Sequence, residues 1–492
     1  MPRPRLALVP IVLCALVLAG ALVPGTTATA DLRMTAAVRA AVAKAEHPDL
    51  RAIPGVPAPN SAPRALLAAG HPARAGASAT AAGTAALQQH MAHELDLAGT
   101  QSGAYVYDMT TGKPLFAERA TQRHPPASVE KLYTAITALE RLGPAARLET
   151  TVLGTGHLAQ GGVWEGDLYL RGGGDPTLGS SAFIRSRYGG VGTSVSQLAA
   201  QLKGQGIERV TGRVYGDESY FDSLRGEPSS GYAWDPFLEG DLSALAFNRG
   251  ETGKEKGAHA PAAYAARQLR AALRHDGVAV ERGGGAASAP AGATKLTVAL
   301  SPTIEQLLGL TLPPSDNFFA ETLLKGLGAR FGGAGPSTTA APGATTTPAA
   351  AAPAPVTGTT AAGAKVARET IAELGLHPTL VDGSGLSEED KTSPYEVVTL
   401  LNEIAHTELG TILRGDLAVA GHTGTLAERM RGTAAAGRCQ AKTGTLTGVS
   451  NLAGYCAAAD GDELAFAFFN DGISIEAAHT LQDNMAITLA DY

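Results

Sequence analysis

The sequence predicts an α+β protein of two or three structural units, and three observations lead there. A strand, turn and strand pattern at 103–118 precedes a run at 128–142 whose apolar residues Leu132, Ala135, Ile136 and Leu139 have helical spacing. Short alternating segments then fill 148–300 between Gly-rich turns, before helical spacing returns over 302–331. From residue 438 the chain reads as strands followed by a terminal helix at 474–489. A length of 492 residues with 44% apolar side chains supports more than one core.

The N-terminus carries an export pattern. Arg3 and Arg5 precede an apolar run at 6–23, and Ala28-Thr29-Ala30 supplies small residues for cleavage, which predicts a signal peptide over 1–30 and an exported, extracytoplasmic chain. A retained membrane anchor is the alternative, because the run approaches the roughly 20 residues that span a bilayer. Residues 31–86 are an Ala/Pro-rich leader with one short helix at 34–45, and 332–363 is a nearly uncharged Gly/Ala/Pro/Thr tract read as a disordered loop.

The formal net charge of −7 is distributed along the chain, so no basic stripe points to nucleic acid. The 12 histidines are scattered, without a metal-binding helix or a Cys-x-x-Cys pair, which predicts no metal and no cofactor. Beyond Cys14 in the signal run, the chain has Cys439 and Cys456, flanking two expected strands in a compartment where disulfides persist. A Cys439–Cys456 disulfide is expected, with two separately buried thiols as the alternative.

Three short motifs follow one another: Ser128-Val129-Glu130-Lys131, Ser315-Asp316-Asn317 and Lys442-Thr443-Gly444. A serine hydroxyl needs a base within reach to act as a nucleophile, and residues three apart share a helix face, so Lys131 can reach Ser128. Taken alone, Ser128 also reads as a helix cap followed by a solvated lysine. Ser315-Asp316-Asn317 opens an apolar helical run, and Lys442-Thr443-Gly444-Thr445 lies on an expected strand where Gly444 would let a ligand approach the backbone. A second Thr-Gly-Thr-Leu at 423–426 lacks the lysine and the strand pattern, and is set aside.

The ordered set is the signature shared by class A β-lactamases and penicillin-binding proteins. With Leu168-Tyr169-Leu170-Arg171-Gly172-Gly173-Gly174-Asp175-Pro176-Thr177-Leu178, 212–222, 241–248 and Asp382-Gly383-Ser384-Gly385-Leu386-Ser387, the chain from about Leu87 onward resembles the low-molecular-mass class C penicillin-binding proteins, the D-Ala-D-Ala carboxypeptidase/endopeptidase family. The resemblance implies a discontinuous β-lactamase/transpeptidase-like peptidase domain, a five-stranded antiparallel sheet with flanking helices, at 87–150 and 301–492. Mostly β inserted domains would occupy 151–300.

It also implies roles. Ser128 would be acylated by peptidoglycan peptides ending in D-Ala-D-Ala and by β-lactams, with Lys131 as base. Ser315 and Lys442 would relay a proton to the leaving D-alanine, and Asn317 would hold the substrate amide. Thr443, Thr445 and Lys442 would receive the terminal carboxylate, and the N–H groups of Ser128 and Thr445 would form the oxyanion hole. A β-lactamase and a non-catalytic cell-wall binding protein are the alternatives.

Overall fold

The computed structural model describes residues 81–252, 260–333 and 357–492. The signal segment 1–30, the leader up to residue 80 with its helix at 34–45, and 334–356 of the low-complexity tract lie outside the described residues.

In chain order, α1 (Ala81–Leu97) precedes β1 (Gly103–Asp108) and β2 (Lys113–Glu118), and a 3-10 turn (Ala127–Glu130) runs into α2 (Lys131–Leu142). The inserted part contributes β3 (Arg147–Gly154), β4 (His157–Ala159), β5 (Val163–Glu165), β6 (Leu168–Arg171), α3 (Ser181–Tyr188), α4 (Val195–Gly204), β7 (Arg209–Asp217), α5 (Pro261–His275), β8 (Ala279–Arg282) and β9 (Thr294–Thr303). The chain returns through α6 (Ile304–Thr311), α7 (Asn317–Phe331), α8 (Thr360–Ala372), α9 (Pro394–Ile404) and α10 (Glu408–Gly415). It ends with β10 (Ala418–Val419), β11 (Cys439–Leu446), β12 (Val449–Ala457), β13 (Glu463–Asp471) and α11 (Ile475–Asp491).

The first sheet is antiparallel in the order β10-β11-β12-β13-β1-β2. It has six strands rather than five because the two-residue β10 pairs with the outer edge of β11. Successive side chains of a strand point to opposite faces, and β13 shows why this sheet is buried on both. Leu464, Phe466 and Phe468 enter one core with Leu87 and Met91 of α1 and Met485 and Leu489 of α11. Ala465, Ala467 and Phe469 enter the other, with Leu132 and Ile136 of α2 and Leu323 and Leu327 of α7. A strand covered on both faces reads as a continuous apolar run, as 464–469 does.

Residues 147–303 build a second sheet, ordered β4-β5-β7-β6-β3-β9 with β8 paired to β7. Its helices correct the mostly β expectation for 151–300. Strand β7 runs parallel to β5, β6 and β8, and parallel neighbours need crossover connections, which α4 and α5 supply. Leu198 and Leu202 of α4 and Leu269 and Leu273 of α5 pack with Leu168, Val210 and Val214 in a core of their own. Two further boundaries move. Helix α1 begins at 81 rather than 87, and 360–363 of the expected loop belong to α8, whose cap Thr359 accepts from Ala362 N–H.

Candidate active site

Ser128 lies in the 3-10 turn that feeds α2, half-exposed between the buried Ala127 and Val129. Ala127 has φ +47°, a left-handed conformation that costs an L-residue roughly 1 kcal/mol or more and is held only by its surroundings. Part of that hold is Asn451 on β12, whose Nδ2 donates to the carbonyls of Pro125 and Pro126, each at 2.9 Å. The Ser128 hydroxyl does not cap the helix; it accepts from Lys131 Nζ at 2.8 Å.

Lys131 is fully enclosed, and its Nζ also donates to Asn317 Oδ1 and to the Ser384 carbonyl, both at 2.6 Å. Burial pulls its ammonium down to about 8, while the nearby carboxyls of Glu130, Asp382, Glu321 and Asp316 act in the opposite direction. A lysine so placed can lose its proton near neutral pH, which an exposed lysine does not do.

Asp316 caps α7, its Oδ1 accepting from Phe319 N–H at 3.0 Å, and the preceding Ser315 stands at φ +66°. The other carboxylate oxygen of Asp316 accepts from Arg249 Nη2. Arg249 comes from the inserted part, is 1% exposed, stacks over Tyr188, Phe318 and Phe319, and donates to the Tyr188 hydroxyl at 2.8 Å. Asn317 Nδ2 donates to the Phe237 carbonyl at 2.8 Å, so the inserted part touches this motif twice.

Lys442, fully buried on β11, donates to Ser315 Oγ and to its neighbour's carbonyl on Thr443, both at 2.7 Å. Burial, and after it the charge of Lys131, hold its ammonium well below the usual lysine range. Two residues on, Gly444 faces the turn that holds Ser128: a Cβ there would stand 2.5 Å from the Pro126 carbonyl oxygen and 3.2 Å from Ser128 N. The absence of a side chain at 444 thus lets the protein's own backbone, Pro126 to Ser128, close on this strand. Cys439 and Cys456 are directly opposed across β11 and β12 and are joined by a disulfide three residues before Lys442.

The Thr-Gly-Thr-Leu stretch that the sequence sets aside braces the site. Thr425 N–H donates to the Pro313 carbonyl at 3.0 Å, its Oγ1 lies 2.8 Å from Thr443 Oγ1, and Gly424 (φ +57°) has room for no Cβ beside Pro313. Arg249, Asn451 and Thr425 are the supporting residues that sequence reasoning missed. The folding chain brings the five residues together as two hydrogen-bonded groups, Ser128–Lys131–Asn317 and Ser315–Lys442, with Thr443 beside Lys442 and Thr445 exposed at the end of the same strand.

A sequence profile described as the D-Ala-D-Ala carboxypeptidase 3 (S13) family matches residues 83–242, 245–352 and 346–492. The chain belongs to this family. The peptidase is 30% identical to a D-alanyl-D-alanine carboxypeptidase of an Actinomadura species, over 80% of this chain and 82% of that one. It is 32% identical to the carboxypeptidase DacB of Mycolicibacterium smegmatis, over 74% and 75%. In fold it is similar to penicillin binding protein 4 of Haemophilus influenzae, with a TM-score of 0.64 at 20% identity, covering 82% of this chain and 97% of that one. The peptidase is thus a D-Ala-D-Ala carboxypeptidase of the low-molecular-mass class C penicillin-binding proteins, with the β-lactamase/transpeptidase-like α+β fold. Among the described residues no helix is long and apolar enough to cross a membrane.

Proposed function

We propose that the peptidase, exported to the cell wall, hydrolyses peptidoglycan stem peptides ending in D-Ala-D-Ala through an acyl-enzyme on Ser128, and that penicillins acylate the same hydroxyl. The observation that carries this reading is the 2.8 Å contact between Lys131 Nζ and Ser128 Oγ, made by a lysine whose burial favours its neutral form. Lys131 takes the hydroxyl proton as Oγ attacks the carbonyl between the two D-alanines. The N–H groups of Ser128 and Thr445 receive the oxyanion, a contribution of about 3 kcal/mol per donor.

Collapse of the tetrahedral intermediate breaks the peptide bond, and a proton reaches the leaving amine through Ser315, which Lys442 holds by its hydroxyl. Thr443, Thr445 and Lys442 bind the terminal carboxylate, and Asn317, already fixed on Lys131, orients the substrate amide. Water then releases the acyl group. A solved penicillin binding protein 4 of Haemophilus influenzae carries a β-lactam, which supports the penicillin arm of the reading.

The test is a labelled penicillin followed by intact mass. Wild-type protein should gain one penicilloyl group and Ser128→Ala none, and a pentapeptide should release D-alanine only with the wild type. Labelling that persists in Ser128→Ala would sink the assignment. Analysis of the fragments released from isolated peptidoglycan then distinguishes carboxypeptidase from endopeptidase cleavage.

A further inference from the structure

Four carboxyl side chains, Glu130, Glu321, Asp382 and Asp390, are completely buried in the neighbourhood of Lys131. Glu130 accepts from the Thr134 hydroxyl of α2, and the other three are held by backbone donors of one loop. Glu321 Oε1 accepts from Gly383 N–H at 2.9 Å and Ser384 N–H at 2.8 Å. Asp382 accepts from the N–H groups of Ser384, Gly385 and Ser387, and Asp390 from that of Val381 at 2.6 Å. Thr134 on α2 donates to the Gly383 carbonyl at 2.9 Å. The loop so fixed presents the Ser384 carbonyl to Lys131 Nζ at 2.6 Å.

We propose that Glu321, outside the three motifs, is a positioning residue that sets how readily Lys131 accepts the Ser128 proton. The inference rests on the reading of Lys131 as the base. Two arguments support it. The first is mechanical: Glu321 projects from the core of α7 and anchors both residues whose geometry places the Ser384 carbonyl, so Lys131 is aimed at Ser128 by a contact whose far end is Glu321.

The second is electrostatic. Glu321 faces Asp382, Glu130 and Lys131 across this compartment, Glu227 from the inserted part, and Lys325 one turn along its own helix. A dry compartment with more acids than ammonium groups cannot carry them all ionised, so protons are retained. Burial, then the Asp382 charge, push Glu321 up to about 8, and burial with mutual repulsion pushes Glu130 and Asp390 well above the carboxylic range. The fully buried Oε2 of Glu321, which receives none of the loop's backbone N–H groups, is the seat of such a proton. While Glu321 stays neutral, Lys131 is free of its charge; once Glu321 ionises, the anion favours the ammonium and leaves less of the free amine that accepts the proton.

The experiment measures the rate of penicillin acylation against pH for wild type, Glu321→Gln, Glu321→Ala and Lys131→Ala, with the thermal midpoint of each. Glutamine keeps the acceptor for Gly383 and Ser384 and removes the charge. Glu321→Gln should therefore acylate within about threefold of wild type at neutral pH, with the upper end of the acidic limb, where the wild-type carboxyl ionises near 8, displaced to lower pH by roughly half a unit or more. Glu321→Ala should lose on the order of 30-fold or more across the profile, through misplacement of the base. A Glu321→Gln limb at the wild-type pH, or wild-type acylation by Glu321→Ala, overturns the proposal. A purely structural role would lower the thermal midpoints and leave the limb in place, which also overturns it. Acylation surviving in Lys131→Ala would instead overturn the reading of the base on which the proposal stands.

Discussion

Arg249 of the inserted part and Asp316, the middle residue of Ser315-Asp316-Asn317, form an ion pair in which the arginine is almost wholly shielded from water. Asp316 also caps the helix whose first residue, Asn317, accepts from Lys131, so this one carboxylate joins the inserted part to the surroundings of Lys131. Replacing Arg249 with Met leaves Asp316 without its cation, and breaking a buried pair from one side costs about 3–5 kcal/mol. Urea unfolding should show a loss of that size together with reduced acylation. Asp316→Asn keeps the cap acceptor and should lose less. An unchanged midpoint for Arg249→Met would refute the pairing as a structural element.

The acylation rate should follow the charge on Lys131. Its ammonium loses the proton near 8, so the base is present above that pH and is depleted about tenfold for each unit below it. Stopped-flow acylation of the wild type should rise with unit slope toward about pH 8 and then level. Lys131→Arg, which cannot give up its proton, should be slower by at least about a hundredfold at all pH values. A profile flat from pH 6 to 9 would contradict Lys131 as the proton acceptor.

Gly444→Ala places a methyl group against the Pro126 carbonyl and within 3.2 Å of Ser128 N. Because backbone rather than a flexible side chain must yield, β11 and the nucleophile turn move apart. We expect a loss of acylation of about a hundredfold or more, since displacements near 1 Å at a reacting centre have that effect. Thermal denaturation checks that the variant is folded; full activity would show that the two segments tolerate separation.

Removing the Cys439–Cys456 disulfide opens a loop with a sequence separation of 17, for which the chain-entropy estimate is about 3 kcal/mol. The double variant Cys439→Ser/Cys456→Ser should unfold at correspondingly lower urea, while keeping measurable penicillin acylation at low temperature because β11 stays paired along its length with β12. A midpoint equal to that of the oxidised protein would exclude the bond as a stabilising element.

What the sequence made legible was whatever local spacing determines. Lys131 is three residues from Ser128, Asn317 opens an apolar helix, and Lys442 sits between two cysteines that face each other across paired strands. The missed residues are those whose partners are distant in the chain. Arg249 lies 67 residues from Asp316 in a loop without periodicity, and no pattern links Asn451 to Pro125. The Thr-Gly-Thr-Leu stretch at 423–426 is a turn rather than a strand, and a brace made by one backbone N–H and one threonine hydroxyl leaves no spacing pattern in the sequence. The helices of the inserted part were within reach, since Ala265, Leu269 and Leu273 repeat every four residues on the buried face of α5. The buried carboxyls escaped because a glutamate in an apolar helix reads as its solvated side, whereas Glu321 points inward.

Strand β1, near the start of the described chain, is paired on one edge with β2 and on the other with β13, near its end. The nucleophile follows β1 within a few tens of residues, but Lys442 and the strand that supports it come more than three hundred residues later. A chain still being made therefore holds Ser128 before Lys442 and its strand exist to join the site. On the proposed mechanism, acylation requires the last fifth of the polypeptide to have joined the sheet, so truncation from the C-terminus should abolish it without touching Ser128.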